Sequence, residues 1–94
     1  MAEAPAYAPS KEQLLNRLRR VEGQVRGVAR MVEEERYCVD VLTQISAIQR
    51  ALDRVALGLV SDHTRECVIG ASGEKQEERT EELLEALDRL VSRR

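Results

Sequence analysis

The sequence has 94 residues, a net charge of −2, 43% apolar residues and only 2% aromatic ones, so it predicts one small domain with a core of Leu, Val, Ile and Ala. A single copy of this size buries only about 60% of the surface of its unfolded chain, and we therefore expect an oligomer. The composition excludes a membrane span, a signal peptide and a disulfide scaffold, because there is no apolar run of ~20 residues, no apolar core in residues 1–10, and only two cysteines.

The predicted fold is all-α with three helices. Residues 1–9 predict a flexible tail, because Ala, Pro and Glu dominate them, and residues 10–94 predict a single helical domain. Ser10, followed three residues later by Gln13, predicts a capping box at the start of the first helix. That helix is predicted over residues 11–34 by apolar residues that recur at steps of three and four, namely Leu14, Leu15, Leu18, Val21, Val25, Val28, Met31 and Val32.

Two glycines lie inside the predicted first helix. Gly23 and Gly27 lie four residues apart on one face, and each destabilises a helix by roughly 1 kcal/mol relative to Ala. One interpretation is close packing against another helix. The other is close approach to DNA or to a partner.

The second helix is long. It is predicted over residues 38–68 from an apolar face made up of Val41, Leu42, Ile45, Ile48, Leu52, Val55, Leu59 and Val60. A turn cluster at residues 70–73 precedes a third helix over residues 74–92, whose apolar side consists of Leu83, Leu84, Leu87, Leu90 and Val91. The sequence contains no strand pattern.

Charge is unevenly distributed along the chain. Residues 11–30 hold six basic and two acidic residues, a net charge of +4, whereas residues 31–94 carry −5. A basic first helix indicates nucleic-acid binding, and the candidates for phosphate contacts are Arg17, Arg20 and Arg54. The alternative is a solvated helix face with ion pairs between residues four apart.

The composition also bears on location and on catalysis. We expect the chain in the cytoplasm, with reduced cysteines and no membrane partner. One His and no glycine-rich phosphate loop leave no set of nucleophile, base and oxyanion stabiliser. We therefore expect neither an enzyme nor a small-molecule substrate.

Three potential metal ligands lie on the second helix. His63 and Cys67 are four residues apart and share a face, and Cys38 points to the same side 25 residues earlier. Because 25 helical residues rise roughly 37 Å, one chain cannot bring all three side chains to one ion. Two antiparallel copies can, if Cys38 of one chain meets His63 and Cys67 of the other. This geometry predicts a two-fold dimer with two identical sites.

The ligand set indicates which metal such a site would hold. Two thiolates and one imidazole suit soft ions, among them Cu(I) and Zn(II). A structural zinc site requires a fourth protein ligand, and the sequence has no second His and no third Cys. A three-coordinate site therefore favours Cu(I). The alternative is thiol chemistry, in which Cys38 and Cys67 form a disulfide or polysulfide between subunits.

Two segments carry a resemblance to a known family. Residues 15–27 (LNRLRRVEGQVRG) and 37–47 (YCVDVLTQISA), followed by the His63 and Cys67 pair, resemble the copper-sensitive operon repressor (CsoR) family and its copper-sensing subtype. The resemblance implies an all-helical repressor of operator DNA that is released by its inducer. It also implies an antiparallel dimer that forms a four-helix bundle, and a dimer of dimers. Since the sequence has no helix-turn-helix pattern, phosphate contacts and DNA shape are expected to carry binding.

The resemblance also assigns roles to individual positions. The residues that match the Cu(I) ligands of the family are Cys38, His63 and Cys67. Tyr37 matches a tyrosine beside the first ligand, and Glu82, or alternatively Glu81, matches a glutamate that orients the imidazole. Arg17 and Arg54 match arginines that bind DNA.

The subtypes of the family differ in their ligands. Nickel and cobalt sensors add an N-terminal His, formaldehyde sensors carry Pro directly after the initiator Met, and persulfide sensors lack the His. The single His63 and the Ala at position 2 therefore favour copper. The sequence predicts a Cu(I)-responsive transcriptional repressor. The alternatives are a persulfide- or oxidant-sensing repressor of the same fold and a helical assembly protein without a DNA target.

Overall fold

A computed structural model describes residues 4–92, and in that part of the chain it contains three α-helices and no strand. Helix α1 comprises Lys11–Glu33, α2 comprises Cys38–His63 and α3 comprises Gly73–Ser92. The predicted all-α class with three helices is confirmed. None of the helices between residues 4 and 92 combines the length and apolar character that a membrane span requires.

The second helix differs from its prediction. The predicted span of 38–68 is wrong beyond His63, because Thr64–Ile69 winds as a π-helical turn rather than an α-helix. A π-helix closes its hydrogen bonds across five residues, and the Gly70 N–H accordingly donates to the Arg65 carbonyl at 2.9 Å.

The start of α1 also differs from its prediction. Ser10 precedes the helix, but its side chain forms no capping hydrogen bond, so the predicted capping box with Gln13 is wrong. Ser10 is the last residue of a 3₁₀ turn, Ala8–Ser10, and has φ −99° and ψ 6°. A capping residue usually has extended backbone angles, which aim its oxygen at the free N–H groups of the first turn.

The contacts between residues divide the chain into two compact units. The hairpin unit, Pro9–Gly58, contains α1 and most of α2. The C-terminal unit combines residues 4–8 with the described residues from Leu59 onward, and it contains the π-helical turn and α3. The tail over residues 1–9 and the domain over 10–94 stay predictions, and residues 1–3 and 93–94 lie outside the described part of the chain.

The hairpin unit holds the only buried side chains among residues 4–92. They are Leu14 and Val21 of α1 and Val55 of α2, with exposed fractions of 6–8%. The two helices pack against each other at Gly58, where an added Cβ atom would make ordinary van der Waals contact with Leu14 Cδ2 at 3.5 Å. Burial of each such side chain stabilises the fold by about 1.5–3 kcal/mol, so a single copy has a small core.

The apolar residues of α2 form two stripes rather than one continuous face. Val55 is buried, and the residues seven and fourteen positions before it, Ile48 and Val41, are half-buried. A second stripe remains 37–56% exposed and consists of Leu42, Ile45 and Leu52. An exposed apolar stripe of this kind is typical of a surface that packs against a partner.

Candidate functional site

The π-helical turn determines how two of the predicted ligands are presented. His63 is the last residue of α2, and Cys67 lies inside the turn Thr64–Ile69. A π-helix turns through a smaller angle per residue than an α-helix. The angle between the side chains of His63 and Cys67 around the helix axis therefore differs from that of two residues four apart in an α-helix. The Thr64 hydroxyl donates to the Val60 carbonyl at 2.7 Å, a contact of the kind that often accompanies bends in helices.

Helix α3 holds this turn in place. The amide of Gln76 donates from Nε2 to the Val68 carbonyl at 3.0 Å. Gly70 closes the turn where a Cβ atom would lie only 2.8 Å from the Glu66 carbonyl oxygen, so only glycine fits without a backbone shift. The segment that carries Cys67 is therefore fixed by contacts with α3 and by a glycine at its end.

One pocket of the C-terminal unit contains three of the predicted site residues. Its volume is about 810 Å³, and its lining includes His63, Cys67 and Glu82. Both ligand side chains are half-buried. Glu82, and not Glu81, lines this pocket together with the imidazole, and Glu85, one turn further along α3, lines it as well.

The Glu82 carboxylate already has a partner in this pocket. Arg79 Nη1 donates to Glu82 Oε1 at 3.2 Å, one helical turn away on α3. Sequence reasoning missed Arg79, although its spacing of three residues from Glu82 is typical of an ion pair on a helix. It also missed Tyr7, which lies in the predicted tail and lines the pocket.

The other predicted metal-site residues lie in the hairpin unit. Cys38 is the first residue of α2 and is exposed, and Tyr37 directly before it is 70% exposed. Among residues 4–92, no group of three or more His, Cys, Asp or Glu side chains is placed to hold a metal ion. The pocket brings together two of the three predicted ligands, and the third belongs to the other unit.

The three arginines predicted to contact DNA also lie in the hairpin unit. Arg17 and Arg20 are exposed on α1, and Arg54 is exposed on α2. Exposed guanidinium groups are available to phosphate oxygens, which they bind with bidentate geometry.

Comparison with known proteins identifies one family and several relatives. The sequence profile of the metal-sensitive transcriptional repressor family matches residues 10–89. The chain is 55% identical over 74 residues to the copper-sensing transcriptional repressor RicR of Mycobacterium tuberculosis strain H37Rv, covering 79% of this chain and 77% of the relative. It is 59% identical over 61 residues to the copper-sensing transcriptional repressor CsoR of Bacillus subtilis strain 168, which covers 65% of this chain and 60% of that longer protein.

A solved structure supports the fold. The crystal structure of the copper-sensing repressor CsoR with Cu(I) from Geobacillus thermodenitrificans NG80-2 has a TM-score of 0.81 and 41% sequence identity with the chain. The match covers 97% of this chain and 94% of that one.

Proposed function

Because the chain belongs to the metal-sensitive transcriptional repressor family, we propose that it is a Cu(I)-responsive repressor that binds operator DNA in its metal-free form and leaves it when Cu(I) is bound. The resemblance to the copper-sensitive operon repressor family is confirmed by relatives and a solved structure named as copper-sensing repressors. A family of transcriptional repressors does not support the third interpretation, a helical assembly protein without a DNA target.

The observation that carries the proposal is the pocket shared by His63, Cys67 and Glu82. Thiolate and imidazole donors suit Cu(I), and an acid beside them is the usual partner of a ligating imidazole. The pocket supplies two donors, so a third has to come from elsewhere. The remaining cysteine, Cys38, is exposed and free to supply it.

The third donor implies a second copy of the chain. We propose that Cys38 of one protomer and His63 and Cys67 of its partner hold Cu(I), in a homodimer built on antiparallel α2 helices. The exposed stripe of Leu42, Ile45 and Leu52 supports this arrangement, because it offers an apolar seam between the two helices. Tyr37 would lie beside the ligand that it precedes in the sequence.

Glu82 connects the ligands to α3. Its carboxylate faces the same pocket as His63 and can accept a hydrogen bond from the imidazole nitrogen that is not used as a ligand. Helix α3 carries Glu82 and also contacts the turn that contains Cys67. When Cu(I) binds to the ligands, the turn that contains Cys67 and the carboxylate of Glu82 both change the position of α3. The movement of α3 in turn changes the assembly that binds DNA.

The DNA-bound form is a homotetramer in the cytoplasm. Arg17, Arg20 and Arg54 contact operator phosphates, and their exposure supports this role. Operator affinity falls in the Cu(I) form, and by linkage DNA weakens Cu(I) binding by the same factor. The protein is a regulator and not an enzyme.

The proposal is tested by anaerobic titration with Cu(I) against a competing chelator, with operator binding followed by fluorescence anisotropy. We expect one tightly held ion per protomer, lost in Cys38→Ala. His63→Ala retains copper through two thiolates but loses most of the coupling, which is typically 5–150-fold in such systems. If His63→Ala is released from operator DNA as readily as the parent, the coupling through Glu82 is wrong.

A thiol-sensing repressor is the second candidate, because Cys38 and Cys67 are both free thiols and at least partly accessible. This candidate predicts that copper is surrendered to a weak chelator. It also predicts that persulfide releases the operator and produces cross-linked dimers on non-reducing gels. That combination of results would replace copper as the inducer.

A further inference from the structure

Helix α1 carries a second row of arginines besides Arg17 and Arg20. Arg19, Arg26 and Arg30 are all exposed, and their spacing of seven and four residues places them on one side of the helix. At about 100° per residue, this row lies roughly 130° around the helix from the first pair. Among residues 4–92, the guanidinium groups of Arg26 and Arg30 form no ion pair or hydrogen bond, and both side chains are exposed.

The two glycines of α1 lie beside this row. A Cβ atom built at Gly23 or at Gly27 meets no atom within 4 Å, apart from the local backbone of the helix. Close packing within the described chain therefore does not explain them, whereas an added Cβ at Gly58 would contact Leu14. The two glycines together destabilise α1 by roughly 2 kcal/mol relative to Ala, and no contact within residues 4–92 requires glycine at either position.

We propose that this arginine–glycine face, made up of Arg19, Gly23, Arg26, Gly27 and Arg30, is an additional contact surface for the sugar-phosphate backbone of DNA. The glycines allow a strand to approach the helix backbone, and the arginines beside them bind its phosphates. This inference rests on the proposed function as a DNA-binding repressor, and it extends the contact surface beyond Arg17, Arg20 and Arg54.

The charge of the face favours nucleic acid over a second copy of the chain. Glu22 lies beside Arg19 and Arg26, but the three guanidinium groups outnumber it and form no ion pair among residues 4–92. The face therefore keeps a net positive charge, which repels an identical face and attracts a polyanion. The exposed apolar residues of α1, Leu18, Val25 and Val32, lie on the opposite side of the helix from the glycines and leave a separate surface for protein contacts.

The length of the face matches several phosphates. Eleven residues separate Arg19 from Arg30, and at 1.5 Å per residue the row extends over roughly 16 Å. Duplex DNA carries one charge per ~1.7 Å of its axis, so the row is long enough to contact more than one phosphate group.

The first test replaces the glycines. Gly27→Ala, in the full-length protein, is expected to raise the unfolding temperature because the added methyl group meets nothing and alanine favours the helix. The same variant is expected to bind operator DNA about tenfold more weakly, because the methyl group holds the strand away. Gain of stability with loss of DNA affinity is the combination that a purely structural glycine does not produce.

The second test measures the salt dependence of operator binding. Each phosphate contact contributes about 0.9 to the steepness of the plot of log operator-binding constant against log salt concentration. Arg26→Gln and Arg30→Gln are therefore each expected to make this slope shallower by about one for every copy of the chain in which the arginine contacts DNA. Arg36→Gln is the matched control, because Arg36 is also exposed but lies beyond the end of α1 and pairs with Glu34 at 3.7 Å. The control is expected to leave the slope unchanged.

Three results overturn the inference. One is a Gly27→Ala protein that binds the operator with parental affinity while Arg26→Gln keeps the parental slope. Another is a Gly27→Ala protein that sediments as a smaller oligomer, which assigns the glycines to contacts between copies. The third is a parent protein that binds no DNA, which also removes the proposed repressor function, whereas the first two results leave that function intact.

Discussion

The hairpin unit and the C-terminal unit differ in how they use their apolar residues. The side chains that are buried among residues 4–92, Leu14, Val21 and Val55, all belong to the hairpin unit, and no described residue of the C-terminal unit is buried. The C-terminal unit contains the π-helical turn and the pocket with His63 and Cys67. Segments that respond to ligands come from the less stable parts of proteins, because a packed core does not deform. The difference teaches that the buried core and the pocket with the candidate ligands lie in separate parts of one short chain.

The largest expected effect that tests this difference between the two units is on the free energy of unfolding. Leu14→Ala is expected to lower the free energy of unfolding by about 2–5 kcal/mol, because it opens a cavity against α2 at Gly58. Leu84→Ala in α3 makes the same chemical change at a side chain that is 56% exposed, and it is expected to cost less than about 1 kcal/mol. Urea unfolding at a fixed protein concentration measures both. An equal loss in the two variants would show that α3 is packed as tightly in the assembly as the hairpin is.

The next effect concerns the response rather than stability. Glu82→Gln is expected to weaken the effect of Cu(I) on operator binding about 10–100-fold, because in the proposed site an amide cannot replace the carboxylate that accepts a hydrogen bond from the imidazole of His63. Glu81→Gln is the matched control, because Glu81 is the neighbouring residue and does not line the pocket. The substitution removes the same charge from α3. Operator release is followed by anisotropy at increasing Cu(I) concentration. Equal losses in the two variants would show that charge alone, and not the position of Glu82, matters.

The smallest expected effect concerns the backbone conformation of Glu35, in the connection between α1 and α2 of the hairpin unit. After α1, Glu35 has φ 55°, a left-handed conformation that is unfavourable for residues other than glycine. It is held there because the Glu35 N–H donates to the Val32 carbonyl at 3.0 Å and the Arg36 N–H donates to the Met31 carbonyl at 2.9 Å.

The left-handed conformation costs a residue with a Cβ roughly 1–2 kcal/mol, part of which the greater freedom of glycine in the unfolded chain offsets, so Glu35→Gly is expected to stabilise the protein by about 1 kcal/mol in thermal unfolding. Glu35→Gln removes the same charge and leaves the backbone strain in place, so it is expected to give no comparable gain. A gain of equal size in both variants would assign the effect to charge rather than to conformation.

The helices were predictable from the sequence because their apolar residues recur with the helical period. The predicted first helix, 11–34, differs from Lys11–Glu33 by a single residue, and the predicted third helix, 74–92, differs from Gly73–Ser92 by one residue. The π-helical turn was not predictable, because a change of winding over six residues leaves no distinct pattern in so short a segment. The missing cap at Ser10 has a similar origin, since the 3₁₀ turn before it sets the backbone angles.

The candidate site divides in the same way. The types and spacing of Cys38, His63 and Cys67 are properties of the sequence, and they were enough to predict a soft metal and a second copy of the chain. The pairing of Arg79 with Glu82 and the shared pocket required the structure, because they depend on how α3 lies against the turn after α2.

The sequence by itself determined the helical period, the types and spacing of the candidate ligands and the uneven charge, because each of these depends on residue type and position along the chain. Only the tertiary structure decided which apolar stripe of α2 is buried, which of Glu81 and Glu82 lines the pocket with His63, and that nothing in the described chain covers the glycines of α1. The physical reason is that burial and contact depend on distances between helices, and the periodicity of a single helix does not specify them.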